Sequence, residues 1–246
     1  MADISYQMYC SRDHDIAQTM SMLAGMGYKA IEGYGPLYSD ADATRSLMVE
    51  NGLTMPTGHF SIDAVEDTSG VLEIANALGV DNIIVPFIAP DQRPTDLAGW
   101  QAFGARLAAA AGPIVAAGKK FGWHNHEFEF AQLENGQTPL EVIMDASDDI
   151  SLELDLGWVM IAGRNPVDWI NKYADRLIAV HVKDIAAEGE CVDEDGWADV
   201  GHGVVDWQPI VAALSAAGVT RFVIEHDKPS DHERFASRSL ASVQSF

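Results

Sequence analysis

Phe121-Gly122-Trp123-His124-Asn125-His126-Glu127-Phe128 is the stretch on which the reading of this chain turns. An apolar run passes abruptly into His-Asn-His-Glu, as a buried strand does where it surfaces into a cleft. Alternation along a strand puts Gly122, His124 and His126 on one face and Trp123 and Asn125 on the other. Two imidazoles in register at a strand end are metal ligands, a base, or a buried polar pair that needs partners.

Working outward, the same unit recurs: an apolar strand, a polar turn, then an Ala/Leu-rich helix. The strands are expected at Ile4–Ser11, Lys29–Gly33, Thr54–Phe60, Asn82–Phe87, Phe121–His126, Ser151–Leu156, Leu177–Lys183 and Phe222–His226. Helices are expected between them, at Asp15–Met26, Asp40–Asn51, Val65–Leu78, Thr95–Lys119, Thr138–Asp145, Pro166–Tyr173 and Trp207–Ala217, with Asp231–Phe246 last. Asn165 before Pro166 and Asp206 before Trp207 read as N-caps. Gly27, Gly52, Gly79, Gly118 and Gly218 each follow an apolar helical run, where a left-handed cap belongs. Eight βα units spaced roughly 30 residues apart suit a single (β/α)8 barrel over residues 1–246, since that fold takes about 250 residues. A doubly wound open sheet would want a glycine fingerprint after the first strand, where the chain has Cys10-Ser11-Arg12-Asp13 instead.

The 246 residues are 48% hydrophobic, enough for one large core. No apolar run reaches the ~18 residues of a membrane span, and the N-terminus shows no basic segment or apolar signal core. Two cysteines make no disulfide framework, so a cytoplasmic location is expected. Fifteen Lys plus Arg face 37 Asp plus Glu, a net charge of −22 that argues against nucleic-acid binding.

Barrel chemistry sits at the C-terminal ends of the strands. Those ends hold Glu32, His59, His124 and His126, Glu153 and Asp155, His181 with Lys183 and Asp184, and Glu225 with His226, so five of the eight histidines lie there. Glu32 either caps a helix, bonds a lysine on a neighbouring strand or meets substrate. His59 is a satisfied cleft histidine or a substrate contact. Glu153 reads as a deeper structural carboxylate, Asp184 as a loop cap, and His14 and His232 as surface residues. His202, in the glycine-hinged Gly201-His202-Gly203, either caps or touches substrate.

Asp155, His181 and Glu225 stand apart because they end three neighbouring strands on the lumen side. Two carboxylates and an imidazole converging there want a cation. The O/N donor set suits Mn²⁺, Mg²⁺, Co²⁺ or Zn²⁺, with His124 the lumen-facing fourth candidate from strand five.

The chain resembles the xylose isomerase-like TIM barrels, the superfamily of sugar phosphate isomerases/epimerases and family 2 apurinic-site endonucleases. The carriers of the resemblance are Ile31-Glu32-Gly33-Tyr34, Trp123-His124-Asn125-His126-Glu127-Phe128-Glu129-Phe130 and Leu152-Glu153-Leu154-Asp155-Leu156-Gly157-Trp158. With them go His181-Val182-Lys183-Asp184, Gly201-His202-Gly203-Val204-Val205-Asp206-Trp207 and Val223-Ile224-Glu225. The resemblance implies metal ligands at His124, Asp155, His181 and Glu225, the first standing where many members carry Glu. It implies His126 as base, with Glu127 the alternative or a substitute ligand, and Lys183 facing a developing oxyanion.

The chemistry implied is proton abstraction beside a carbonyl, through an enediolate stabilised by the divalent metal, Mn²⁺ first among the candidates. Return of the proton isomerises or epimerises; loss of a β-hydroxyl or aglycone dehydrates or cleaves. With no glycine-rich phosphate cradle, the expected substrate is a neutral ketosugar or cyclitol, and Trp158 and Trp197 either pack against its ring or belong to core or loop packing. An endonuclease would carry a further His where this chain has Trp158, and a silent sugar-binding barrel is the non-enzymatic alternative. Relatives of this kind often form dimers or tetramers, so a homo-oligomer is consistent with the resemblance.

Overall fold

The computed structural model describes residues 3–246. Seven strands, β1 (Asp3–Gln7), β2 (Ala30–Gly33), β3 (Thr54–His59), β4 (Asn82–Val85), β5 (Lys120–His124), β6 (Ile150–Asp155) and β7 (Leu177–Val182), build most of a barrel. A two-stranded hairpin, β8 (Asp184–Ile185) and β9 (Trp197–Ala198), follows, and β10 (Arg221–Ile224) closes the barrel between β7 and β1. All eight barrel strands pair in parallel, so their C-terminal ends share one mouth.

The helices are α1 (Ile16–Met26), α2 (Ala41–Asn51), α3 (Ile62–Glu66), α4 (Thr68–Leu78) and α5 (Leu97–Ala116). After them come α6 (Pro139–Asp145), α7 (Leu156–Ile161), α8 (Pro166–Lys172), α9 (Trp207–Ala216) and α10 (His232–Val243). None is long and apolar enough to cross a membrane among the described residues. The five expected cap glycines all take positive φ, from 64° at Gly52 to 106° at Gly27. Asn165 and Asp206 cap α8 and α9 by accepting from Val167 N and Gln208 N.

Local chemistry explains the departures. The expected helix over Val65–Leu78 is two helices, because Asp67 leaves helical geometry and caps α4 through Gly70 N at 3.3 Å. The first strand stops at Gln7, whose side chain accepts from Tyr9 N and starts a 3-10 turn over Met8–Ser11. β5 stops at His124 because the Asn125 amide takes over the ladder: its Oδ1 accepts from Asp155 N at 3.0 Å and its Nδ2 donates to Asp155 O at 3.3 Å. The hairpin and α7 are additions that no apolar periodicity announces. Trp123, on the outer face of β5, is fully buried against Phe103 and donates Nε1 to Glu129 Oε1.

Candidate active site and metal centre

Register decides which polar residues meet. His124 lies opposite Glu153 between β5 and β6, and Asp155 opposite His181 between β6 and β7. Glu225 follows β10, next to β7. One ligand atom each from Asp155, His181 and Glu225 falls within a 4.8 Å cluster. Asp155 Oδ1 caps α7 by accepting from Trp158 N at 2.8 Å, which leaves Oδ2 turned into the cluster. Asp155 Oδ2 and His181 Nδ1 are buried with no hydrogen-bond partner. Glu225 Oε2 has only the Lys183 ammonium at 2.8 Å, in a direction that makes no hydrogen bond. His124 Nε2 lies beside that cluster, 4.0 Å from Asp155 Oδ2, while a ligand atom of His124 falls with those of His59, Glu153 and His181 in a second group within 4.8 Å.

Buried acceptors without donors are costly. Burial raises the Asp155 and Glu225 carboxyls above their ordinary range, the latter to about 7, and outweighs the Lys183 charge that opposes it. His124 is held well below its ordinary value by burial and by His181, so it stays an uncharged donor. Burial would lower the His181 pKa, but Glu153 and Glu32 outweigh it and hold the ring well above its ordinary value, so a cation would displace a proton there. Two carboxylates and two imidazoles fit a divalent cation of the Mn²⁺, Zn²⁺ or Co²⁺ kind.

A floor of hydrogen bonds lies beneath. Glu32 Oε1 sits 2.7 Å from His181 Nε2 and accepts from Gln7 Nε2 at 2.7 Å, and Glu153 Oε2 is 2.6 Å from His59 Nε2. Glu32 is fully buried there and outside the cavity lining, so the helix-cap, lysine-partner and substrate-contact readings all give way to an imidazole partner. His59 reaches both the floor and the cavity wall.

Above the cluster opens a cavity of about 450 Å³ lined by His59, His124, His126, His181, Glu225 and Trp158. His126 lies between Phe87 (5.4 Å between ring centres), Trp158 (5.5 Å) and His124 (5.2 Å), with Nδ1 buried and unpartnered. Burial first, then the charges of Lys183 and Arg93, lower its pKa to about 3.

Besides Glu32, four residues are placed differently from expectation. Lys183 is fully buried behind the carboxylates, paired with Glu225, Asp155 and Asp227, so its charge is committed rather than offered to an oxyanion. Glu127 starts the 3-10 turn Glu127–Phe130 and stays out of the cavity lining. His202 is exposed, because Asp184 gathers the N–H groups of Gly201 and Val205 beneath it and turns the loop crest outward. Trp197 packs behind Trp158 (4.9 Å), fully buried, and does not face substrate.

Gln7, Tyr9, Tyr34, Phe87 and Asp227 also line the cavity and were not anticipated. A buried polar residue ending an apolar strand was the available signal for Gln7. The others sit on loops or turns, whose course no periodicity reveals.

A family model for the xylose isomerase-like TIM barrel matches residues 21–245. Inosose dehydratase of Lacticaseibacillus casei is 30% identical over 93 residues, 33% of this chain and 31% of that relative's length. A sugar phosphate isomerase/epimerase structure from Parabacteroides distasonis superposes with a TM-score of 0.82 at 18% identity, over 99% of this chain and 93% of that one. A 3-keto-D-glucoside 4-epimerase structure from E. coli gives 0.73 at 17% identity, over the whole of both chains. At such identities the two structures show a shared fold and no more.

Proposed function

The chain belongs to the xylose isomerase-like TIM barrel family, and we propose that it is a divalent-cation-dependent enzyme that abstracts the proton beside a carbonyl of a non-phosphorylated ketosugar or cyclitol, as an isomerase or epimerase. The observation that carries this reading is the convergence of Asp155 Oδ2, His181 Nδ1 and Glu225 Oε2, three buried ligand atoms left without hydrogen-bond partners. His124, Asp155, His181 and Glu225 would hold the cation, which when bound supplies Lewis acidity to a carbonyl and its neighbouring hydroxyl.

The chain's own residues do the rest. His126 is uncharged at neutral pH and its imidazole lines the cavity, placed to take a proton as a general base. Trp158, Phe87, Tyr9 and Tyr34 offer aromatic surface to a sugar ring and exclude water from the carbon that loses the proton. Lys183 balances the carboxylates from behind. Among the described residues no lysine or arginine lines the cavity, which favours an uncharged substrate over a phosphosugar.

Dehydration is the second reading, supported by the likeness of part of the chain to inosose dehydratase. The same proton removal by His126, followed by return of that proton to a β-hydroxyl that departs as water, needs no other residue.

Calorimetric titration with Mn²⁺ and NMR of deuterium uptake from D₂O into ketoses, inososes and 3-ketoglycosides test the proposal. Asp155→Ala and Glu225→Ala should abolish binding; full Mn²⁺ binding by both would sink the site. His126→Ala should bind Mn²⁺ and lose exchange, and undiminished exchange would remove it as the base.

A further inference from the structure

Three imidazoles converge on one buried carboxylate oxygen beneath the cation site. Glu153 Oε2 lies 2.6 Å from His59 Nε2, 3.2 Å from His124 Nδ1 and 3.2 Å from His181 Nε2. A carboxylate oxygen only accepts, so each nitrogen bonded to it carries a proton.

Neighbours farther down complete the pattern. Tyr9 N donates to Gln7 Oε1 at 3.0 Å, which turns the Gln7 amide nitrogen toward His59 Nδ1 at 3.2 Å. His59 therefore accepts at Nδ1 and donates to Glu153 from Nε2. His181 donates from Nε2 to Glu32 Oε1 at 2.7 Å, and His124 donates from Nδ1 to Glu153. An uncharged imidazole holds one N–H, so His124 Nε2 keeps its lone pair. That atom and His181 Nδ1 face Asp155 Oδ2, at 4.0 and 3.9 Å.

We propose that Glu153 is a positioning residue: its carboxylate locks His124 in the Nδ1–H tautomer, helps to orient His181, and supplies negative charge one layer below a site whose strand-five ligand is neutral. The inference rests on the cation site proposed above. It explains why a fully buried carboxylate stands opposite His124 in register. It also predicts a coupling: a carboxylate at position 124 would face Glu153 across about the same distance, and the two would repel.

Long-range ¹⁵N NMR of the metal-free wild type should show His124 protonated at Nδ1 and bare at Nε2. The opposite tautomer overturns the proposal, whether or not any variant folds. Glu153→Gln should lower Mn²⁺ affinity by about 10–100-fold in competition with a chelator, the range seen when a ligand's orienting partner is lost. Affinity unchanged from a wild type that binds Mn²⁺ overturns this inference alone. A wild type that binds no Mn²⁺ removes the cation reading and this inference with it. Finally, His124→Glu should bind Mn²⁺ more weakly than the double variant His124→Glu/Glu153→Gln, and the reverse order overturns the proposed coupling.

Discussion

Lys183→Met removes a charge at nearly constant volume from beneath the site. The Lys183 side chain is 1% exposed, with Nζ 2.8 Å from Glu225 Oε2, 4.0 Å from Asp155 Oδ2 and bonded to Asp227. The ammonium also lies 4.0 Å from the Trp197 ring centre and 4.6 Å from that of Trp158. Burial disfavours its charge, but Glu225, Asp155 and Asp227 outweigh burial and push its pKa above the ordinary lysine value. Removing one partner of a buried pair costs about 3–5 kcal/mol, because the other charge is left uncompensated. Proton uptake by Glu225 relieves part of that, so about 3 kcal/mol is expected in the metal-free protein. For a chain of this size that corresponds to a Tm lower by about 6–12 °C.

Saturating Mn²⁺ restores a positive partner to Asp155 and Glu225, so the deficit should shrink by about 1.4–2.8 kcal/mol. Linkage then requires the variant to bind Mn²⁺ about 10–100-fold more tightly than wild type. Thermal unfolding with and without Mn²⁺ gives the first number and calorimetric titration the second. The two must agree. Equal Tm deficits in both states together with equal affinities would refute the assignment of Lys183 as a charge-balancing residue.

Asn125→Ala removes both amide bonds to the Asp155 backbone and leaves Asp155 N–H buried without its acceptor, which should cost about 2–3 kcal/mol in urea unfolding. Mn²⁺ affinity should fall as well, since Asp155 loses its tether; a loss below about 0.5 kcal/mol would show that the strand ladder does not depend on this amide. Glu194 gives a pH dependence. Burial alone would raise its pKa, but hydrogen bonds from Ser230 and the Arg234 guanidinium outweigh that and hold it at about 2. Its contribution is therefore complete above the ordinary glutamate value and is lost as pH falls from about 4.5 toward 2. Unfolding free energies of wild type and Glu194→Gln should differ by about 1–2 kcal/mol at pH 7 and converge near pH 2. A constant difference across that range would count against the linkage.

Much of the architecture is legible in the linear chain because it depends on local rules. Alternation, helix caps and the five glycines at positive φ place all eight barrel strands and most helices, with ends shifted where Gln7, Asp67 and Asn125 bond the backbone locally. The meeting of Asp155, His181 and Glu225, with His124 on the adjoining strand, is legible too, since in a closed parallel barrel β5, β6, β7 and β10 are successive neighbours. Depth is not legible. A period of two names the face a residue takes but not the layer it joins, because neighbouring strands in a barrel are staggered by its shear. That stagger sets His124 opposite Glu153 and Asp155 opposite His181, sinking Glu32 and Glu153 into the floor while His126 reaches the wall. Loop course is equally hidden. It buries Lys183 among three carboxylates, lifts His202 into solvent and brings Tyr9 and Phe87 to the mouth through contacts between residues far apart in the chain.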